Sequence, residues 1–215
     1  MPKELVLFDL DGTLLDSLPL IETTFRYVFQ RMEIPWENGA VMKTVGLPLR
    51  DACKQFGGAR WRELFDCYVQ HQLSIHDAYV KVFPGTREAL AEIAPMVKGM
   101  GVVTSKRRSV ATRGLTITGL DLYIEHLVAL EDVQKPKPDA EPVLLGLEKF
   151  CTRPEQAIFV GDSLFDVESG RGAGVTTIAV GWGMASRDEL RVANPDFLVD
   201  NWSQLLSVLK TLVFK

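Results

Sequence analysis

A chain of 215 residues is long enough for one large core, or for a core domain with a smaller companion. Its 47% hydrophobic and 24% charged content is ordinary for a globular protein, and a net charge of -4 leaves no basic footprint for nucleic acid. The three cysteines, Cys53, Cys67 and Cys151, form no CxxC and sit near no histidine pair, which argues against a zinc site or a disulfide framework.

The first apolar run, ELVLFD at 4–9, fits a buried strand. It starts too close to Met1 to leave room for a secretory leader. No apolar stretch approaches the roughly 20 residues of a membrane span. The expectation is a cytoplasmic protein with neither a membrane nor a nucleic-acid partner, a monomer or small homo-oligomer.

Between Leu14 and Val82 no convincing strand is visible. IETTFRYVFQRM reads as an amphipathic helix, with Phe25, Val28, Phe29 and Met32 at helical spacing. WRELFDCYVQHQLSI reads as a second, through Trp61, Leu64, Phe65, Tyr68 and Leu73. Pro48 and Gly57-Gly58 break the stretch between them. The simplest organisation is a helical insertion over 17–82, between a core segment at 1–16 and the rest of the core at 83–215. Thr86 is placed to cap the helix TREALAEI, which meets Pro95 near its end.

Beyond the insertion, apolar runs alternate with helical patterns: MGVVTS at 100–105, HLVAL at 126–130, AIFVGD at 157–162, TTIAVGW at 176–182 and DFLVD at 196–200. This alternation predicts an α/β fold, a Rossmann-like parallel sheet with helices on both faces. In such sheets ligands bind beyond the carboxyl ends of the strands. Three runs end in polar clusters, FDLDGT, VVTSK and FVGDS, so these clusters are expected to meet.

Each cluster carries chemistry. Asp9 and Asp11 repel one another, so a hard cation such as Mg²⁺ is their natural partner. Alternately they form a turn with a capping Asp, since Asp-Gly is a common turn pair. Gly12 lets the backbone approach an anion, and the turn amides with the Thr13 hydroxyl can cradle phosphate oxygens. Thr104 and Ser105 place hydroxyls at a second strand end, as phosphoryl holders or as simple caps. QKPKPDAEPVLLGLEKF predicts a helix from about Asp139 with a lysine at its entrance, either Lys135 or Lys137. In FVGDSLFD, a helix from Ser163 puts Asp162 and Asp166 near one face. Asp162 suits a metal ligand or a helix cap, and Asp166 suits the shell behind the ligands. Acid pair, hydroxyl, lysine and acid together match phosphoryl transfer through an aspartyl-phosphate.

These residues resemble the haloacid dehalogenase superfamily, phosphatase branch, along essentially the whole chain. FDLDGTLLDS is similar to its first motif, VVTSK to its second, KPDAEPVLLGL to its third and VGDSLFD to its fourth. The resemblance implies Asp9 as nucleophile, Asp11 as acid/base, and Thr104 as the motif hydroxyl. It implies Mg²⁺ held by Asp9, the Asp11 backbone carbonyl and Asp162. It also implies a small phosphorylated substrate. The helical insertion is similar to the family's cap, and GLPLRD at 46–51 to a cap loop that meets substrate, which makes Arg50 a phosphate-contact candidate. Members commonly read KPxPxxx before an apolar helix. Helix phase favours Lys137 over Lys135, because counting from Lys135 puts Glu141 at an apolar position. Within the superfamily the chain is most similar to bacterial phosphoglycolate phosphatases and to the inorganic pyrophosphatase linked to HPr regulation. A sugar-phosphate mutase shares the same core and is the second enzyme reading. A non-catalytic phosphate-sensing protein is the reading from another class.

Overall fold

The computed structural model describes residues 2–214. The chain enters on strand β1 (Leu5–Phe8), then forms the two-residue strand β2 (Leu15–Asp16). Helices α1 (Leu18–Met32), α2 (Leu49–Gly57) and α3 (Trp61–Tyr79) follow. The return is through β3 (Lys81–Val82) and α4 (Thr86–Ile93). The rest alternates: β4 (Gly99–Val103), α5 (Arg108–Thr118), β5 (His126–Val128), α6 (Glu141–Lys149), β6 (Ala157–Gly161) and α7 (Leu164–Gly172). It ends with β7 (Thr176–Val180), α8 (Arg187–Ala193), β8 (Phe197–Val199) and α9 (Trp202–Val213).

Six strands form one parallel sheet in the order β5-β4-β1-β6-β7-β8. The α/β sheet expected from the alternating pattern is therefore present. All four residues of β1 are buried, because helices cover both faces of the sheet. Strand alternation divides them. Val6 and Phe8 pack with Leu90 and Ile93 of α4, Leu115 of α5 and Leu205 of α9. Leu5 and Leu7 pack on the other face with Val143 and Leu147 of α6. Burying each such side chain contributes about 1.5–3 kcal/mol. From β1 the chain builds outward through β4 and β5, then crosses to β6 on the opposite side of β1. That reversal opens a crevice above the carboxyl end of β1.

Helices α1 to α3, with the segment between α1 and α2, carry a hydrophobic cluster of their own, including Phe25, Val28, Phe29, Met42, Leu64 and Tyr68. The Phe25 and Tyr68 rings lie 4.6 Å apart between centroids. The insertion is joined to the sheet by an antiparallel ribbon, with Leu15 opposite Val82 and Asp16 opposite Lys81. The sequence reading held no strand between Leu14 and Val82. Two residues per strand are too few for a period-two pattern to register.

Four local expectations are corrected. The buried stripe of α3 runs Leu64, Tyr68, Gln72, His76, while Leu73 is 41% exposed. Polar residues extend the i, i+4 stripe, so an apolar-only reading drifts off it. Gly85, at φ 88°, takes the N-cap of α4, and the Thr86 hydroxyl donates back to Phe83 O at 2.8 Å. Helix α6 starts at Glu141 rather than Asp139, whose Oδ1 accepts from Glu141 N at 2.9 Å. Ser163, not Asp162, is the N-cap of α7, and it forms a capping box with Asp166. Among the described residues no helix is long and apolar enough to cross a membrane.

Candidate active site

Asp9 is the first residue past β1, and its amide donates to Val160 O on the neighbouring strand at 2.8 Å. Its carboxylate is buried, and Oδ1 accepts from Lys137 Nζ at 2.5 Å. The chain then turns sharply, with Gly12 at φ 88° and its amide bonded to Leu15 O at 2.9 Å. A Cβ on Gly12 would overlap the Asp162 carboxylate. The turn therefore needs glycine both for its conformation and for space. Thr13 is buried, and its hydroxyl donates to Asp162 Oδ1 at 3.2 Å. The Asp11 side chain points elsewhere: its oxygens accept from Lys106 Nζ at 2.6 and 2.9 Å, and Oδ1 also from the Ser17 hydroxyl.

Lys137 reaches this strand end from the loop before α6. It is 1% exposed and bridges Asp9 and Asp166 Oδ1, the latter at 2.6 Å. Lys135 is exposed, and its amide donates to Glu141 Oε2 at 2.9 Å. Asp166 Oδ2 is taken up by the Ser163 amide and hydroxyl, at 3.0 and 2.5 Å. Asp162 follows β6, and its Oδ2 accepts from the Met184 amide at 2.6 Å.

Burial dominates the electrostatics. It raises the Asp9 carboxyl well above its ordinary range, and Lys137 only partly offsets this against the added repulsion of Asp166 and Asp162. Asp162 is raised to about 7, first by burial and then by Asp166, against the Met184 amide, Lys137 and Thr13. Burial pulls Lys137 down, but the carboxylates of Asp166 and Asp9 outweigh it and hold the ammonium above its ordinary value.

Thr104 follows β4 and is buried, with its hydroxyl accepting from the Lys106 amide at 3.2 Å. The Ser105 hydroxyl is buried and has no partner among the described residues. These residues, Asp9 and Asp11 line one side of a cavity of about 760 Å³. The insertion lines the other side, with Phe25, Leu47, Arg50, Phe65 and Tyr68 among its contributors. The Arg50 side chain is 62% exposed, and its Nε lies 3.8 Å from Asp51 Oδ1.

The family model for haloacid dehalogenase-like hydrolases matches residues 6–180. The chain belongs to this family. It is 38% identical over 207 residues to a protein of Caldanaerobacter subterraneus subsp. tengcongensis provisionally named pyrophosphatase PpaX, covering 95% of this chain and 94% of that one. Pyrophosphatase PpaX of Halalkalibacterium halodurans is 32% identical over 206 residues, covering 95% of each. Among solved structures, a provisionally named phosphoglycolate phosphatase from Lactobacillus plantarum superposes with a TM-score of 0.85 at 26% identity, covering 97% of this chain and 100% of that one.

The haloacid dehalogenase-like family implies a divalent cation, and the residues fit one. Oxygens of Asp9, Asp162 and Asp166 lie within 4.8 Å of one another, all on buried side chains. Three carboxylates face one ammonium, so the cluster has uncompensated negative charge, and all its donors are the hard oxygens that Mg²⁺ takes. Asp166 accepts from three donors, with Oδ2 filled by the Ser163 amide and hydroxyl, whereas Asp162 accepts from Thr13 and Met184 and Asp9 from Lys137, so Asp9 and Asp162 keep more acceptor sites among the described residues. Those two, with the Asp11 carbonyl, are the set expected from the family resemblance.

Sequence reasoning missed four contributors. Lys106 grips Asp11, although it sits inside VVTSK, two residues past Thr104. Met184 and Gly183 close over Asp162, and a Cβ on Gly183 would overlap that carboxylate. The glycines flanking Trp182 after a strand were the available signal. Tyr68 accepts from Gln72 Nε2 at 3.0 Å, and burial, with Asp11 adding, raises its phenol well above its ordinary value. Its helical spacing marked it only as core.

Proposed function

We propose that this haloacid dehalogenase-like hydrolase is a Mg²⁺-dependent phosphohydrolase that works through an aspartyl-phosphate on Asp9, with pyrophosphate as its substrate. The observation that carries the reading is the Lys137–Asp9 pair at the carboxyl end of the central strand. A carboxylate that must attack an anionic phosphorus gains from a fixed ammonium beside it. The pyrophosphate reading is supported by the names of the relatives and by Arg50 on the cavity wall, where a second phosphate would need a cation.

Mg²⁺ held by Asp9, Asp162 and the Asp11 carbonyl would neutralise phosphate charge and orient the phosphoryl group. A carboxylate oxygen of Asp9 attacks phosphorus, and the bond to the leaving oxygen breaks. Asp11 delivers a proton to that oxygen. Asp11 then takes a proton from water, the water oxygen adds to phosphorus, and the Asp9–phosphorus bond breaks to release phosphate. Thr104, Ser105 and the Gly12–Thr13 turn hold the phosphoryl oxygens, and the unpartnered Ser105 hydroxyl is free for this. Asp166 holds Lys137 in place. The insertion at 17–82 acts as a cap that supplies Arg50.

The test is a substrate panel with Mg²⁺ containing pyrophosphate, 2-phosphoglycolate, sugar phosphates and nucleotides, scored for free phosphate and for isomerised sugar phosphate. Acid-quenched enzyme is assayed for bound phosphate in parallel. Pyrophosphate is expected to head the panel, with label on the wild type and none on Asp9→Asn. Wild-type turnover by Asp9→Asn on every substrate would overturn the mechanism. Isomer without phosphate release would point instead to a mutase.

A further inference from the structure

We propose that Lys106 is the positioning residue for Asp11, and that it fixes the carboxylate from which the proton is transferred. The inference rests on the reading of Asp11 as acid/base. Lys106 leaves the carboxyl end of β4 two residues after Thr104, and its backbone is anchored at both its amide and its carbonyl. The Lys106 amide donates to Thr104 Oγ1 at 3.2 Å, and its carbonyl accepts from Leu130 N at 3.1 Å. The side chain is 10% exposed and delivers its ammonium to both oxygens of Asp11, at 2.6 and 2.9 Å. A lysine has four rotatable side-chain bonds, so holding it in this pose has an entropic cost that a solvated surface lysine avoids. Its backbone anchors and its near-burial reduce that cost.

The contacts treat the two oxygens of Asp11 differently. Oδ1 accepts from Lys106 and from the Ser17 hydroxyl, which fills both of its lone pairs. Among the described residues Oδ2 accepts only from Lys106, which leaves one acceptor site open. Oδ2 is therefore the atom that carries the proton in transit, and Lys106 with Ser17 sets the plane in which it does so. A carboxylate free to rotate would spend only part of its time in a productive pose, and small misplacements of a proton-transfer group lower rate steeply. Among the described residues none other than Lys106 holds both oxygens, so the effect belongs to this side chain.

A double-mutant cycle tests the proposal, because residues acting through one another are non-additive while independent ones add. The assay is kcat and KM for pyrophosphate with Mg²⁺, on wild type, Lys106→Met, Lys106→Arg, Asp11→Asn and the Lys106→Met/Asp11→Asn double variant. Melting curves establish that each is folded. Lys106→Met is expected to lower kcat by about tenfold or more with KM within about threefold, since the loss is in positioning rather than binding. Lys106→Arg, which keeps the charge and the double contact, recovers most of that loss. In the Asp11→Asn background the Lys106→Met change is expected to alter kcat by less than about twofold. Equal losses in both backgrounds, or wild-type kcat for Lys106→Met, would overturn the role of Lys106 and leave the acid/base reading standing. Wild-type kcat for Asp11→Asn would instead remove the acid/base reading itself. If Lys106→Met does not fold, the Lys106→Arg and Lys106→Gln pair replaces it in the same cycle.

Discussion

Asp166 Oδ1 lies 2.6 Å from Lys137 Nζ, the same ammonium that contacts Asp9 Oδ1 at 2.5 Å. The ammonium is thus clamped between two carboxylates, and all three groups are buried. A buried ion pair gives little net stability, but breaking it strands the partner's charge. Lys137→Met is therefore expected to destabilise the Mg²⁺-free protein by about 3–5 kcal/mol, read as a lower midpoint in urea titration. Its turnover should fall by about 100-fold or more, while Lys135→Ala stays near wild type. The reverse order of the two lysines would contradict the geometry.

Metal binding and pH should trade against each other in stability. The Asp162 carboxyl is raised from 3.8 to about 7, so between those values the folded protein holds a proton that the unfolded chain has released. Stability then falls as pH rises through this window, because the native state binds more protons than the unfolded one. In EDTA the Tm is expected to drop between pH 5 and pH 8. Saturating Mg²⁺ should flatten that drop, because a bound cation stabilises the ionised carboxylates. A Tm in EDTA that climbs over the same range would rule the argument out.

Gly12 and Gly183 leave the space in which the Asp162 carboxylate stands. Adding a methyl group at either position has to displace that carboxylate. Gly12→Ala also strains a φ of 88°. Both variants should weaken Mg²⁺ binding by about tenfold or more, measured by calorimetry, with far-UV circular dichroism unchanged. Gly58→Ala is the matched control, since nothing lies within 4 Å of its added Cβ, although its φ of 51° carries a similar strain.

Arg50 is expected to act on binding rather than on chemistry. It is exposed, sits in the first turn of α2 and lines the cavity from the insertion side. Arg50→Ala should raise KM for pyrophosphate by about tenfold while kcat changes less, because a contact made equally in ground and transition states leaves kcat alone. An unchanged KM would remove Arg50 from the substrate contacts.

Local pattern was enough to establish the parallel α/β core and the helical insertion. Apolar runs of strand length, separated by helical periods, follow from side-chain direction along each element, and each can be read within about ten residues. Placing Asp9, Thr104 and Asp162 just past strands followed from the same pattern. Missed elements were those with no local signature. The β2–β3 ribbon is two residues on each side, and its halves are separated by the whole insertion. The Lys106–Asp11 contact spans 95 positions.

Helix phase favours Lys137 over Lys135, but only the tertiary structure brings its ammonium to Asp9, a contact that joins positions 128 apart. It also divided the labour among the acids. Asp166 is spent on Lys137 and Ser163 and Asp11 on Lys106 and Ser17, while oxygens of Asp9, Asp162 and Asp166 lie within 4.8 Å of one another. The physical reason is range. Periodicity and turn chemistry act between near neighbours in the chain, whereas the pairing of buried charges depends on which strand ends the folded sheet brings together.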